Sequence, residues 1–297
     1  MDSKIDRHRG RRDVLRGLIG AGLAISFFSS SRADRTSTKE SHMSRIFITG
    51  STDGLGLAAA RDLMTQGHEV VLHARSSQRA AVFGDLTSRS AGVVIGDLSS
   101  AAETRSIAEQ VNRIGRMDAV IHNAGIFQVP SRGKTPEGHA TVLAVNTLAP
   151  FMLTALIERP HRLVYMSSGM HRGGGSSLRD IDWVERRWDS SLAYSESKLY
   201  LTTLAFAVAR HWPEVLSNAV DPGWVPTKMG GAGAPDDLTL GHTTQVWLAA
   251  SKDPEAQVSG GYWYHRKQSK PAADALDSGF QDRLVARLTE LTGVRLF

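Results

Sequence analysis

The chain of 297 residues contains no cysteine. That absence excludes disulfide staples, a thiol nucleophile and a zinc–thiolate centre. Its histidines show no HExxH-type spacing, so no metal centre is expected. A charge excess is missing where it would matter. The formal net charge is +5, but residues 1–42 carry nine Lys/Arg against five Asp/Glu, and the rest of the chain carries 26 against 25. So nearly neutral a body makes no electrostatic case for a nucleic-acid partner. Long apolar runs are scarce too. The run over residues 17–28 has 12 residues, short of the roughly 20 that span a bilayer. With 41% hydrophobic and 22% charged residues, what remains is an ordinary globular chain long enough to bury a full core.

The N-terminus reads differently from the rest. Arg11-Arg12-Asp13-Val14-Leu15-Arg16 precedes the short apolar run, and small residues at Ser31 and Ala33 suit cleavage before Asp34. This pattern resembles a twin-arginine signal, which implies export as a folded protein by the twin-arginine machinery to a periplasmic location. Two alternatives stay open: an uncleaved membrane-surface anchor, or a cytoplasmic protein starting at Met43. The domain reading is therefore a signal and linker over 1–42 and one folded domain over 43–297.

From Met43 onward, short apolar strands alternate with helical stretches. Strands are expected at 45–49, 69–73, 92–96, 118–122 and 162–167, with a further one at 261–264. Helices are expected from Leu57 to Leu63, from Ser99 or Ser100 to about Arg113, and over 239–250 and 281–291. Such alternation describes an α/β domain, a doubly wound parallel sheet with helices on both faces.

The first strand runs into a turn carrying Gly50, Gly54 and Gly56, after which a helix begins. Glycines there let backbone N–H groups approach a pyrophosphate at the positive end of the helix dipole. After the second strand, Ala74 cannot accept from a ribose hydroxyl, whereas Arg75 can pair with a 2′-phosphate, which favours NADP(H) over NAD(H). Asp97, after the third strand, is placed to accept from an adenine amino group or to cap the next helix. Asn123-Ala124-Gly125 follows the fourth strand and lets backbone approach the same ligand. Further on, Tyr194 and Lys198 are four residues apart and share one helix face. A cation beside the phenol is expected to lower its pKa and make it a usable acid or base.

In order, Thr49-Gly50-x-x-x-Gly54-x-Gly56, Asn123-Ala124-Gly125, Ser167-Ser168, Tyr194-x-x-x-Lys198 and Asp221-Pro222-Gly223-Trp224-Val225-x-Thr227 resemble the motifs of the classical short-chain dehydrogenases/reductases. The resemblance covers Met43 to about the C-terminus. It implies a single-domain Rossmann-type fold and an oxidoreductase that transfers hydride between a nicotinamide cofactor and a small-molecule carbonyl or alcohol. The catalytic residues it implies are Asn146, Ser168, Tyr194 and Lys198. Ser168 would bond the substrate oxygen, Tyr194 would exchange its proton with that oxygen, and Asn146 would hold a water in the relay. Lys198 would lower the Tyr194 pKa and bind the nicotinamide ribose. The cofactor would further meet Gly50, Thr52, Gly54, Leu55, Gly56 and Asn123-Ala124-Gly125, with Pro222, Gly223, Val225 and Thr227 at the carboxamide. A homo-oligomer is implied as well, although members with a long insertion are often monomeric. A rival reading is a nucleotide-sensing protein that kept the fold and lost the chemistry; all four catalytic positions being filled speaks against it.

Three departures stand out. His122 replaces the commoner asparagine before Asn123, and Asp53 sits where many NADP-dependent members carry a base. Ser168 and Tyr194 are 26 residues apart, about twice the usual spacing in the family. Retinol-dehydrogenase-like and protochlorophyllide-reductase-like members carry a similar insertion, often with a histidine after the serines, as His171 stands here. Gly173-Gly174-Gly175 is expected to make the inserted loop flexible, and Trp183 and Trp188 to lay apolar bulk over the substrate pocket. That suits a bulky, apolar substrate, whether retinoid-, steroid- or polyketide-like. The Gly/Pro-rich stretch 229–237 is expected to form a mobile lid, and 265–270 a solvated basic face.

Overall fold

A computed structural model describes residues 43–297. The twin-arginine-like segment, and with it the expectation of export, lies outside the described residues.

The strands are β1 (Arg45–Ile48), β2 (Glu69–Ala74), β3 (Gly92–Ile95), β4 (Ala119–His122), β5 (Arg162–Met166), β6 (Leu216–Asp221), β7 (Gly261–Tyr264) and β8 (Lys267–Ser269). They pair in the order β3-β2-β1-β4-β5-β6-β7-β8. All pairs are parallel except β7 with β8. The main helices are α1 (Gly54–Thr65), α2 (Ala101–Ile114), α3 (residues 141–156), α4 (Ser190–His211), α5 (Leu238–Ala250) and α6 (Ser278–Thr292).

Side chains alternate across a strand, and here both faces are apolar. Phe47, Val71, Val120 and Leu163 enter one core with Ile107 of α2, Leu153 of α3, Leu204 of α4 and Leu284 of α6. Ile46, Ile48, Val70, Leu72, Ile121 and Val164 enter the other, with Ala59, Ala60 and Leu63 of α1 and Val246 and Trp247 of α5. A sheet that is apolar on both sides must be covered on both sides, which yields the doubly wound, Rossmann-type fold expected from the alternation. Because β1 lies between β2 and β4, the strand order reverses there. The carboxyl ends of β1 and β4 therefore open into the crevice where such folds bind ligands.

Two strands depart from the expectations. β6 carries Ser217 and Asn218 inside the sheet, so its sequence lacks an apolar run. Both are buried and satisfied: Ser217 Oγ donates to the Ala205 carbonyl at 2.7 Å, and Asn218 Nδ2 to that of Val258 at 2.7 Å. The basic tract at 265–270 is not only a solvated face. Part of it forms β8, a short antiparallel edge strand with exposed Lys267 and Gln268, a composition that discourages further strand pairing. The helix after the glycine turn starts at Gly54, so Gly56 lies in its first turn.

Candidate active site

The crevice is a cleft of about 720 Å³ between the glycine turn and the N-terminal half of α4. At one end, Gly50, Thr52, Gly54 and Leu55 form the wall, with Ala124 and Gly125 facing them. The turn is held from behind. Asn123 Nδ2 donates to the carbonyls of Thr49 at 2.9 Å and Gly50 at 3.2 Å, and Thr49 Oγ1 accepts from Ala124 N at 3.0 Å. Any side chain at Gly56 would collide with the Gly50 carbonyl and the Asn123 amide, so Gly56 serves close packing and does not line the cleft. A buried histidine, His73, also supports the turn. Its Nδ1 accepts from Gly50 N at 2.9 Å, which leaves Nε2 to donate to the Gly96 carbonyl at 2.9 Å. Burial depresses its pKa, consistent with that neutral form.

Asp53 does not cap α1 with its side chain. Its carboxylate pairs instead with Lys228 Nζ at 2.8 Å and Arg79 Nη2 at 3.3 Å, and Arg79 also donates to Thr52 Oγ1 at 3.2 Å. An acidic residue at this position is therefore compatible with a basic corner. Arg75 and Arg79 both line the cleft there, Arg75 just before and Arg79 within the short turn that Ser76 caps. Arg79, Lys228 and His73 were not anticipated. The Arg75/Arg79 spacing was a usable signal for the first; the other two depend on chain segments far apart in sequence. Asp97 lines the same end, with Oδ1 accepting from Ser99 N at 2.8 Å, whereas the cap of α2 is Ser100.

At the other end, Asp189 caps α4 by accepting from Ser191 N at 3.0 Å and Leu192 N at 2.9 Å. Tyr194 thus falls in the first turns and Lys198 one turn on, and both face the cleft. Ser167 lines the cleft, but its hydroxyl is taken up by Thr202 Oγ1 at 2.6 Å. The Ser168 hydroxyl accepts from Met170 N at 3.2 Å and lies near enough to Tyr194 to favour its ionised form. Asn146 is wholly buried in a π-helical stretch of α3, Ala144–Leu148. Its side chain binds both main-chain groups of Ile126, at 2.9 and 3.0 Å, and donates to Ser197 Oγ at 3.0 Å. A Cβ on Gly125 would sit 3.2 Å from Lys198 Nζ and 3.5 Å from Asn146 Oδ1, so the three converge. Pro222 and Thr227 line the cleft; Val225 is buried beneath α5 and Gly223 turns against Asp236.

The electrostatics correct one expectation. Lys198 does not lower the Tyr194 pKa here. Burial dominates and pushes the phenol up to about 12, with the Asp221 carboxylate adding to the rise and the Ser168 bond only partly offsetting it. Lys198 Nζ donates to the Met166 carbonyl at 2.7 Å and lies 5.7 Å from the centre of the Tyr194 ring. Burial also brings its own pKa down to about 8, which weakens it as a cation. Tyr194 is accordingly a protonated acid at neutral pH.

The inserted loop lies beside Tyr194; a Cβ at Gly173 would meet open space, but Gly174 is packed. A Cβ at Gly174 would sit 2.6 Å from the Ser195 carbonyl oxygen, so glycine allows close contact with α4. Arg186 forks onto the buried Glu196 at 2.8 and 2.9 Å while lying 3.8 Å over the Trp183 ring, and Trp183 Nε1 donates to Glu196 at 2.9 Å. Trp188 Nε1 reaches the Val129 carbonyl at 3.0 Å. Both tryptophans share an apolar cluster with Tyr194, Val142, Ile126 and Phe127, whose ring is 4.6 Å from that of Tyr194. The stretch 229–237 is likewise pinned, with Asp236 bonded to both main-chain groups of Trp224.

The cradle fits a dinucleotide: tightly packed glycines at a helix N-terminus at one end, a buried lysine facing Gly125 at the other. Among the described residues, no group of three or more His, Cys, Asp or Glu could hold a metal ion.

A model of the short chain dehydrogenase family matches residues 44–175. A short-chain dehydrogenase of Penicillium rubens is 41% identical over 86% of this chain and 99% of its own length. A protein of Streptomyces sp. bearing the name of a daunorubicin C-13 ketoreductase is 31% identical over 80% of this chain and 89% of its own. Human retinol dehydrogenase 13 is 27% identical over 84% of each chain. With these relatives spanning the glycine turn, the insertion and the Tyr194 helix alike, the chain belongs to the short-chain dehydrogenase/reductase family, oxidoreductases that bind a nicotinamide cofactor, and carries the loop pattern of its retinol-dehydrogenase-like members.

Proposed function

We propose that this chain is an NADP(H)-dependent carbonyl reductase, running in reverse as an alcohol dehydrogenase, on a bulky apolar ketone or aldehyde. The observation that carries the reading is Tyr194 with Lys198 one helix turn on, both facing one end of a cleft whose other end is a glycine cradle. When bound, the reduced dinucleotide supplies the hydride. Ser168 holds the carbonyl oxygen, and the protonated phenol of Tyr194 donates to that oxygen as charge develops on it. Lys198 binds ribose hydroxyls and Asn146 keeps the proton path hydrated. Arg75 and Arg79 form the cationic corner for a 2′-phosphate, since no acidic group stands at Ala74 to accept from a ribose hydroxyl. Phe127, Trp183 and Trp188 do not line the cleft itself but pack in one apolar cluster with Tyr194, and an apolar surround of that kind suits the polycyclic and polyene substrates in the names of the relatives.

The test is NADPH-linked reduction of daunorubicin, retinal and phenanthrenequinone by the wild-type chain and by Tyr194→Phe. Loss of the phenolic proton should lower kcat by about 10²–10⁴-fold while NADPH binding, followed by fluorescence, is kept. Binding without turnover of any carbonyl would instead favour a sensing protein.

A further inference from the structure

Behind Ser168, segments from four strand ends meet on one buried imidazole. His171, 0% exposed, lies three residues after Ser168 in a helical turn that follows β5. Its Nε2 accepts from Ala272 N at 2.9 Å, beyond β8. That contact requires a lone pair, so the ring proton is on Nδ1, which donates to the Ser168 carbonyl at 2.7 Å. The hydroxyl of Tyr262, on β7, lies 3.3 Å from the same Nδ1 and donates to Asp221 Oδ2 at 3.1 Å. Asp221 ends β6, and its other oxygen accepts from Gly223 N at 3.1 Å in the Pro-Gly turn.

Each polar atom in this chain of contacts is spent in one direction. The Tyr262 proton goes to Asp221, which leaves its oxygen free to face the Nδ1–H. The Ser168 carbonyl receives two bonds, from His171 Nδ1 and from His171 N at 3.0 Å. A histidine present only to fill space would need neither a fixed tautomer nor two main-chain partners 104 positions apart, at Ser168 and Ala272. The Arg172 guanidinium lies 5.1 Å over the Tyr262 ring and donates to the Lys270 carbonyl at 2.7 Å, closing the group on its outer side. Burial holds the His171 pKa down, in keeping with a neutral ring.

We propose that His171 is a positioning residue for the reaction: through Nδ1–H it fixes the main chain of Ser168, and through Tyr262 and Asp221 it ties the serine to the Pro-Gly turn. The hydroxyl that holds the substrate oxygen is thereby kept in register with the turn that holds the nicotinamide end. This rests on the reading of Ser168 and Tyr194 given above, and a displacement of even 1 Å at such a group is costly to rate.

Two substitutions separate the two nitrogens. His171→Asn keeps a donor where Nδ1 stood and gives up Ala272; His171→Gln reaches Ala272 and gives up the serine. On the full chain with NADPH and the best ketone of the panel above, His171→Gln should lower kcat about tenfold, with KM and the NADPH dissociation constant within about twofold. His171→Asn should retain kcat within about threefold despite a comparable loss in Tm. Nitrogen NMR of the wild-type ring should show a protonated Nδ1 and a bare Nε2 from pH 6 to 8. Equal losses of kcat in both variants, in step with Tm, would reduce His171 to packing and overturn the proposal, as would an Nε2–H ring. If Tyr194→Phe is inactive while His171→Gln is fully active, the positioning role alone fails. If Tyr194→Phe is as active as wild type, the catalytic reading beneath it fails.

Discussion

The two ends of the cleft are built by different means. The nucleotide end is mostly main chain: glycines packed against Ala124, the Asn123 amide on two carbonyls, and a helix N-terminus. The substrate end is held by side chains that cross between separate segments: Arg186 to Glu196 on α4, Asp182 to His139 and Arg132, and His171 to Ser168 and Ala272. A main-chain cradle tolerates only certain residues at fixed spacing, so it leaves a readable fingerprint. Side-chain crosslinks join positions with no fixed spacing and leave none.

If the substrate end depends on its crosslinks, cutting one should cost far more than trimming the nucleotide corner. Arg186→Ala leaves Glu196, whose side chain is 4% exposed, as an unpaired buried charge. A loss of about 3–5 kcal/mol is expected in urea unfolding, largely restored by adding Glu196→Gln. A surface-like loss below about 1 kcal/mol would mean that the loop is not anchored there.

Lys198 sits where the two ends meet and should show stability opposed to function. Its folded pKa, about 8, is below the ordinary value of 10.5. The unfolded chain therefore binds the proton more readily between those values, and stability rises with pH across that window. Lys198→Met should raise stability at pH 7 by about 1–3 kcal/mol, flatten the slope above pH 8, and abolish turnover. Thermal melts from pH 7 to 10 measure both.

At the nucleotide corner, Arg79→Ala should weaken NADPH binding about tenfold, or about 1.4 kcal/mol, and leave NADH unchanged. Equal losses for both dinucleotides would assign Arg79 to the turn through Thr52 and Asp53.

The smallest effect concerns His139, whose pKa is raised chiefly by its 2.9 Å bond to Asp182. That stabilisation is fully present below about pH 6.5 and is lost as pH rises through the elevated folded value. A decline of roughly 0.5–1 kcal/mol between pH 6 and 8 is expected, and His139→Asn should remove it.

The legibility of the chain follows the same division. Gly50, Gly54, Asn123, Tyr194 and Lys198 all line the cleft, and their spacing is legible because backbone approach and one helix turn restrict residue and distance together. Arg75 stands out by its place after β2, whereas Arg79, on the turn that Ser76 caps, has no comparable mark in the sequence beyond its spacing from Arg75, although it too lines the cleft. β6 was hidden because Ser217 and Asn218 are polar on paper and satisfied only by Ala205 and Val258 in space. A glycine run such as 173–175 reads as flexibility, although glycine equally permits contact, and at Gly174 only the approach of Ser195 decides between them.

By itself the sequence determined the family, the doubly wound sheet and the two ends of the cleft, since alternating strands and glycine spacing are local and obey backbone geometry. Tertiary structure alone decided the protonation of Tyr194. Local spacing puts Lys198 beside it, but burial, offset only in part by Ser168, and the Asp221 carboxylate set the balance of charge. Tertiary structure also decided what Asp53, Glu196 and His171 do, because a polar side chain acquires its role from partners that only folding brings within 3 Å or so.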